Sequence, residues 1–393
     1  MTIVSCSGRF HAFALAEQLE KRGLLTGFYT SYAWQKNKLM RRLTSRIDKE
    51  KIPAEKIHTI IPVAAMMRLG TRPFVYNEIY DKWVAHNLNH RKDYKVFIGW
   101  SGMSLNTIRK AKNEGNITVL ERGSSHIRYQ DKILCEEYKN FGIDFHIDPR
   151  TVNKELKEYE EADYIFIPST FVRNSFLEMG VPASKLIQNP YGVSSHFKKA
   201  AGDFPKGKFR VLYLGSLTIR KGLIYLFKAL KKLDSAGVPF EAWFIGKVDE
   251  EMKSIVGKYA RPNWKFFGHI NFYDLPRHIS ACDVAVHPSL EEGLSMVITQ
   301  LLGCGVPVIA TTNTGGEDVI EDGKNGYIVP IRDPQAIAGK IQLLYEDPER
   351  LRLMKFHAAN SEKTELSWDN YGLRYAKFLH QAISSNNTRL VEL

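Results

Sequence analysis

Short, fully apolar runs alternate with longer stretches of helical spacing through most of the chain. TIVSC (2–6), KVFIGW (95–100), ITVLE (117–121) and ADYIFIPST (162–170) carry Val, Ile and Phe with little polar alternation. That is the pattern of strands covered on both faces of a parallel sheet. Between them, FHAFALAEQLEKRG places Phe13, Ala16 and Leu19 on one helical face and ends at Gly23, a C-terminal cap. SLNTIRKAKNEG and FVRNSFLEMG read as helices too, and KLIQNPYGV as a short strand. The pattern breaks at SSHFKKAAGDFPKGK (194–208), which is polar, basic and interrupted by Gly and Pro, the composition of a linker. It then restarts with RVLYLGS, EAWFIG, WKFFGH, DVAVHP, VPVIAT and GYIVP, with helical spacing over Leu223 to Leu233 and over LSMVITQLLG (294–303).

This alternation predicts an α/β protein with two open parallel sheets, residues 1–193 and 209–366, joined by 194–208. The segment 367–393 is a terminal helix and tail with Trp368, Tyr371, Tyr375, Phe378 and Leu379 on one stripe, predicted to pack as core. At 393 residues, 44% hydrophobic and 11% aromatic, the chain can bury two cores.

Ligands of open α/β sheets bind beyond the carboxyl ends of the strands, so the strand exits are where site chemistry is expected. In the first half, β-strand exits carry Ser7-Gly8-Arg9, with His11 following, and the dense run Arg122-Gly123-Ser124-Ser125-His126. Gly8 is a candidate for a donor-binding turn, and His11, Arg122, Ser124 and Ser125 are candidates for lining the acceptor side of a cleft. In the second half, Arg220-Lys221-Gly222 joins two cations to a helix mouth, an anion-binding arrangement. Leu294, Ser295 and Met296 open another helix, and Gly315-Gly316 is predicted to open a third, so several helix N-termini converge on one diphosphate. Glu292 is repelled by phosphate and suits sugar hydroxyls instead. Gln300, eight positions on and about two helical turns away, suits a ribose.

A formal charge of +12 fits an acidic ligand, nucleic acid or an anionic membrane without choosing among them. The basic stretch Lys36 to Lys56 leaves two readings open, a solvated helix face or an amphipathic helix against anionic lipid. Cys6, Cys135, Cys282 and Cys304 lack metal-ligand spacing and read as reduced core thiols. There is no DxD and no His/Asp/Glu cluster at metal-site spacing, so no metal and no cofactor are expected. No signal peptide or membrane span is predicted, which points to a cytoplasmic protein.

The linker-to-tail half resembles retaining GT-B glycosyltransferases of sequence family 4 (glycosyl transferases group 1). VLYLGSLTIRKG, HPSLEEGLSMVITQLLGCGVPVIAT and TGGEDVIEDGKNGYIVP carry the resemblance, in the expected order. The first half resembles the family more weakly, through SGRFHAFALAEQLEKRG, ERGSSH, EADYIFIPST and KLIQNPYGV. The resemblance implies two Rossmann-like domains facing a central cleft, a last helix crossing back to the first domain, a nucleotide-diphosphate donor on the second domain and an acceptor on the first. Glu292 matches the family's first motif glutamate, which contacts the donor sugar, and Gln300 stands where the ribose-binding second glutamate would be. Lys221 matches the family's lysine, Ser216 replaces its arginine, and Arg220 stands in from one residue before the lysine. His126 aligns with the first-domain histidine at the reacting centre. In the implied retaining mechanism the acceptor hydroxyl attacks from the face that the diphosphate leaves, and a donor phosphate oxygen takes the proton.

The expectation is therefore a metal-independent glycosyltransferase moving a sugar from a nucleotide donor to a glycan or lipid-linked acceptor in surface polysaccharide assembly, without nucleic acid as partner, at the inner membrane face or in the cytoplasm. A sugar-nucleotide epimerase or hydrolase on the same site, and a non-catalytic polyanion-binding protein, are the alternatives.

Overall fold

In a computed structural model of the chain the apolar runs form two separate parallel sheets. The structure describes residues 1–32, 51–89, 91–202, 204–205, 207–361 and 366–391, with side chains of the final helix through 385. The first sheet holds β1 (Thr2–Cys6), β2 (Leu25–Thr30), β3 (Ile57–Thr59), β4 (Val96–Trp100), β5 (Ile117–Glu121), β6 (Tyr164–Ile167) and β7 (Leu186–Gln188), in the order β3-β2-β1-β4-β5-β6-β7. The second holds β8 (Phe209–Leu214), β9 (Phe240–Ile245), β10 (Trp264–Gly268), β11 (Val284–His287), β12 (Val308–Thr311) and β13 (Gly326–Val329), in the order β10-β9-β8-β11-β12-β13. Every pairing is parallel. Because a parallel neighbour can be reached only by a crossover, helices lie between the strands. Their sides cover the sheets, which is why β1, β4, β5 and β9 are buried along their whole length.

Both sheets reverse direction of growth at the same place. β1 has β2 on one side and β4 on the other, and β8 has β9 on one side and β11 on the other. At such a switch point the two exiting loops diverge and leave a crevice. In the second sheet this sets the β8 exit beside the β11 exit, so residues 215–222 and 288–293, far apart in sequence, become neighbours.

The final helix, Trp368–Val391, returns to the first sheet as expected for the GT-B fold. Tyr371, Tyr375 and Leu379 join the first sheet's core, with the Tyr375 ring stacked on Phe166 at 4.1 Å. Gly372 is required there, since a Cβ would lie 2.5 Å from the Gln18 side chain.

Two expectations are corrected. Gly315-Gly316 opens no α-helix; the segment forms two three-residue 3-10 turns, Thr312–Thr314 and Gly316–Asp318. The chain must turn again between Ile320 and Asn325 to enter β13, which leaves no room for a longer helix. Cys135 is only partly buried, unlike Cys6, Cys282 and Cys304, because it faces the outer side of the helix Ile127–Lys139. Of the basic stretch Lys36 to Lys56, positions 36–50 lie outside the described residues. Lys51 and Lys56 at its end pair with Glu17 and Glu20. Within 194–208, Phe197 is buried in the second sheet's core. Among the described residues no helix is long and apolar enough to cross a membrane.

Candidate functional site

The second sheet's switch point brings Arg220-Lys221 onto Glu291-Glu292. Close approach of the two loops depends on Gly222, which has φ 65° and caps the following helix; a Cβ there would fall 2.0 Å from the Pro288 carbonyl oxygen. Leu290 N–H donates to the Arg220 carbonyl at 3.0 Å, fixing the register. Consecutive residues in each loop then point to opposite sides, and two ion pairs form back to back.

One pair faces the second domain. The Lys221 ammonium donates to Glu292, which also accepts from Ser289 Oγ at 3.1 Å and lies 4.0 Å from His287 Nε2. Neither partner is sealed: 23% of the Lys221 side chain and 14% of the Glu292 side chain are exposed. Burial alone would raise the Glu292 pKa, but the Lys221 and Arg220 charges, with His287, bring it down to about 2. His287 is itself pushed down to about 4, by burial first and by Lys221 second. At neutral pH the site therefore sets an ionised Glu292 and a neutral His287 beside the Lys221 side chain. A carboxylate of this kind accepts from sugar hydroxyls, and an ammonium neutralises phosphate oxygens.

The other pair faces the first domain. Arg220 Nη2 lies 2.8 Å from Glu291 Oε2, and the Glu291 carboxylate is 0% exposed. Glu291 Oε1 accepts from Ser124 Oγ, Ser125 N and Ser125 Oγ at 2.7–2.9 Å, and Oε2 accepts from Gln130 Nε2 at 2.9 Å. Against burial, Arg220 and these donors hold the Glu291 pKa below its usual value. The next residue, Gly293, packs where a Cβ would meet the Gly123 carbonyl oxygen at 2.0 Å. Leu294 inserts among the apolar residues of the first sheet's core. Ser169 Oγ donates to the Gly293 carbonyl, and Thr170 N and Oγ1 donate to Asp318. The loop after β11 thus has one face partly open to solvent and one face that locks the domains together.

Several first-domain candidates belong to the locking face. Ser124 and Ser125 are committed to Glu291. Arg122 is buried, pairs with Glu155 at 2.8 Å, and donates to the Ser125 carbonyl and Gln130 Oε1. His126 caps the helix Ile127–Lys139, its Nδ1 accepting from Arg128 N at 3.3 Å. Its ring packs against Tyr159 and Phe176 at 5.0 and 5.1 Å and is 3% exposed. Burial, with Arg122 and Arg128, pushes its pKa down to about 4. All of its ring neighbours belong to the first domain. His11 has a different setting: its Nε2 lies 3.0 Å from Glu121 Oε2, and its ring sits 4.3 Å from Tyr191 and 5.0 Å from Trp100. It therefore stands at the ends of β1, β4 and β5, at the first sheet's own switch point.

The remaining donor-side candidates are placed as follows. Ser216 is exposed at the β8 exit, its carbonyl accepting from Tyr213 Oη at 2.8 Å. Gly8 is buried against the exposed Phe10 ring, whose backbone has a positive φ of 27°. Ser295 caps the helix Met296–Gly303 without a side-chain bond, and its N–H donates to the Thr314 carbonyl. Met296 is exposed, and Gln300 is half-buried on that helix. The functions of Glu291 and of the His11–Glu121 pair were not visible in the sequence. Adjacent glutamates give no signal of which is buried, and Glu121 reads only as the last residue of a strand.

Residues 194–360 match the family model of glycosyl transferases group 1. Over 276 residues the chain is 24% identical to an uncharacterized glycosyltransferase, MJ1069, of Methanocaldococcus jannaschii, covering 67% of this chain and 68% of that protein. It is 25% identical over 237 residues to O-antigen chain mannosyltransferase B of Escherichia coli, covering 56% of this chain and 61% of that protein. Two other glycosyltransferases, MJ1178 of M. jannaschii and EpsD of Bacillus subtilis, are matched over 56% and 39% of their length. Among solved structures, sucrose-phosphate synthase of Thermosynechococcus elongatus superposes with a TM-score of 0.74 at 17% identity, covering 98% of this chain and 99% of that one. HepE of Anabaena, solved with UDP-glucose, gives 0.70 at 15% identity, covering 97% and 100%. At these identities the structural likeness establishes the fold.

Proposed function

We propose, from a chain whose residues 194–360 match the family model of glycosyl transferases group 1 and whose whole length has the GT-B fold, that the protein is a retaining glycosyltransferase acting on a nucleotide-diphosphate sugar. The observation that carries this reading is the partly open Lys221–Glu292 pair at the second sheet's switch point. Lys221 takes the leaving diphosphate, Glu292 the sugar hydroxyls, and Gln300 the ribose. Arg220 adds positive potential from behind while it holds Glu291. The exposed turn at Ser216 and the helix end at Met296 complete the donor side, and Leu294 and Ser295 hold that helix end in place. Structural neighbours solved with UDP and UDP-glucose support a donor of that class.

The acceptor hydroxyl enters from the first domain, where His11 and the turn at Gly8 line the switch point. It attacks the sugar carbon from the side on which the diphosphate departs, and a diphosphate oxygen takes its proton, so the step needs no protein base and no metal. His126, which the resemblance puts at the reacting centre, is buried and caps the helix Ile127–Lys139, so its part is to position the exit loop of β5. Relatives assigned to colanic acid and O-antigen assembly support surface polysaccharide as the setting, with a glycan or lipid-linked acceptor and peripheral contact with an anionic membrane.

A thermal-shift screen of nucleoside diphosphates and nucleotide sugars tests the donor class, since a ligand that binds the folded state raises Tm with its concentration. A shift with at least one nucleotide sugar supports the reading. A folded protein that responds to none contradicts it.

A further inference from the structure

Outside the cleft, on the far side of the helix Ile127–Lys139, three side chains of different chemistry converge. Asp131 and Cys135 stand one helical turn apart on the same face, and His146 reaches back to them from the loop before the next helix. Cys135 Sγ lies 3.1 Å from His146 Nδ1 and 3.6 Å from Asp131 Oδ1, and His146 Nδ1 lies 3.9 Å from Asp131 Oδ2. Among the described residues this is the group of three such side chains able to share one ion.

The spacing suits a tetrahedral ion. With metal–sulfur bonds of about 2.3 Å and metal–nitrogen and metal–oxygen bonds of about 2.0–2.2 Å, the edges between ligand atoms come to roughly 3.3–3.6 Å. The observed distances bracket that range, so small side-chain rotations bring all three onto one centre. The surroundings also orient the ligands. Asp131 Oδ1 is fixed by the Ile147 N–H at 2.7 Å, and Asp144 Oδ1 lies 3.7 Å from His146 Nε2. Asp144 is exposed and beyond hydrogen-bond distance, and it would have to close on Nε2 to become the outer carboxylate partner that such sites use. Cys135 and His146 also line an open surface hollow of about 600 Å³, which gives an ion and its water a way in.

We propose that Asp131, Cys135 and His146 form a binding site for a thiophilic divalent cation of the zinc class, completed by water. Sulfur and imidazole donors select against magnesium and calcium. The Cys135 thiol, held up to about 11 by burial and by Asp131, loses its proton to solvent as the ion binds. The consequence is structural. The same helix carries Tyr138, which stacks on Phe145 at 4.4 Å and donates to Glu251 of the second domain. It also carries Glu137, which accepts from Tyr225 and Arg332 of the second domain. An ion here would pin the loop 140–148 to the helix that bridges the domains.

The test uses the full chain, reduced and stripped by chelator, titrated with Co²⁺ and then Zn²⁺. The expected result is a thiolate-to-cobalt charge-transfer band saturating at about one equivalent, bleached by Zn²⁺ and accompanied by a rise in Tm. Cys135→Ser should abolish the band while its metal-free Tm stays at the parent value. Asp144→Asn, at an exposed position, should weaken Co²⁺ binding by about 10-fold. Absence of a thiolate band, or a band that survives Cys135→Ser, overturns the proposal.

Discussion

Glu291 and Glu292 are adjacent, both acidic and both paired with a cation from the same loop, yet they do different work. Glu291 is 0% exposed and saturated by Arg220, two serines, a backbone N–H and Gln130. Glu292 keeps 14% of its surface and has lone pairs to spare beyond Lys221 and Ser289. The first is bound up in the junction between domains. The second is ionised, oriented and still able to accept. Buried pairs of the first kind cost heavily when one partner is removed, whereas a pair of the second kind can exchange protein partners for ligand groups.

That contrast can be broken experimentally. The largest effect should come from Glu291→Ala, which strands Arg220 and the Ser124, Ser125 and Gln130 donors. Urea unfolding should show a loss of about 3–5 kcal/mol, with weaker binding of donor following only from loss of fold. Next, Lys221→Gln should lower kcat by about 10²–10³, the typical cost of one donor aimed at developing charge, with a smaller loss of stability than Glu291→Ala because Glu292 stays partly open to solvent. If the two variants exchange phenotypes, the division of labour is wrong.

His126 sharpens the comparison from the first domain's side. Its folded pKa of about 4 lies below the 6.5 of an ordinary histidine. Between those values the unfolded chain takes up a proton that the folded protein refuses. Its contribution is therefore fully present above pH 6.5 and is lost as pH falls toward 4. His126→Asn keeps a capping acceptor without titrating, and should reduce the loss of stability between pH 7 and 5 by about 2 kcal/mol. An unchanged slope would place the titration elsewhere. The smallest effect should be at Gln300: Gln300→Ala removes one hydroxyl contact worth about 1 kcal/mol, visible as a several-fold rise in donor KM at unchanged kcat.

Much of the fold was legible because its signals are local. Apolar runs such as VLYL and VIAT announce strands without reference to anything distant, and the tail stripe of Tyr371, Tyr375 and Leu379 announces a buried face. Glu292 and Lys221 stand out as candidates for a related reason, since each lies in the loop that leaves a strand. Glu291 was not, because its partners stand between 71 and 167 positions away. The Gly315-Gly316 turn was misread as a helix start because glycine permits both, and the next turn into β13 decides between them. Cys135 looked like a core thiol because His146, eleven positions on, reaches it only through the folded loop.

In the proposed reaction Glu292 holds the sugar and Lys221 the diphosphate. Calorimetric titration of Glu292→Gln with a nucleoside diphosphate and with the matching nucleotide sugar tests it most directly. The variant should bind the diphosphate as the parent protein does and lose the added affinity that the sugar confers. Equal weakening toward both ligands, or retained preference for the sugar, would contradict it.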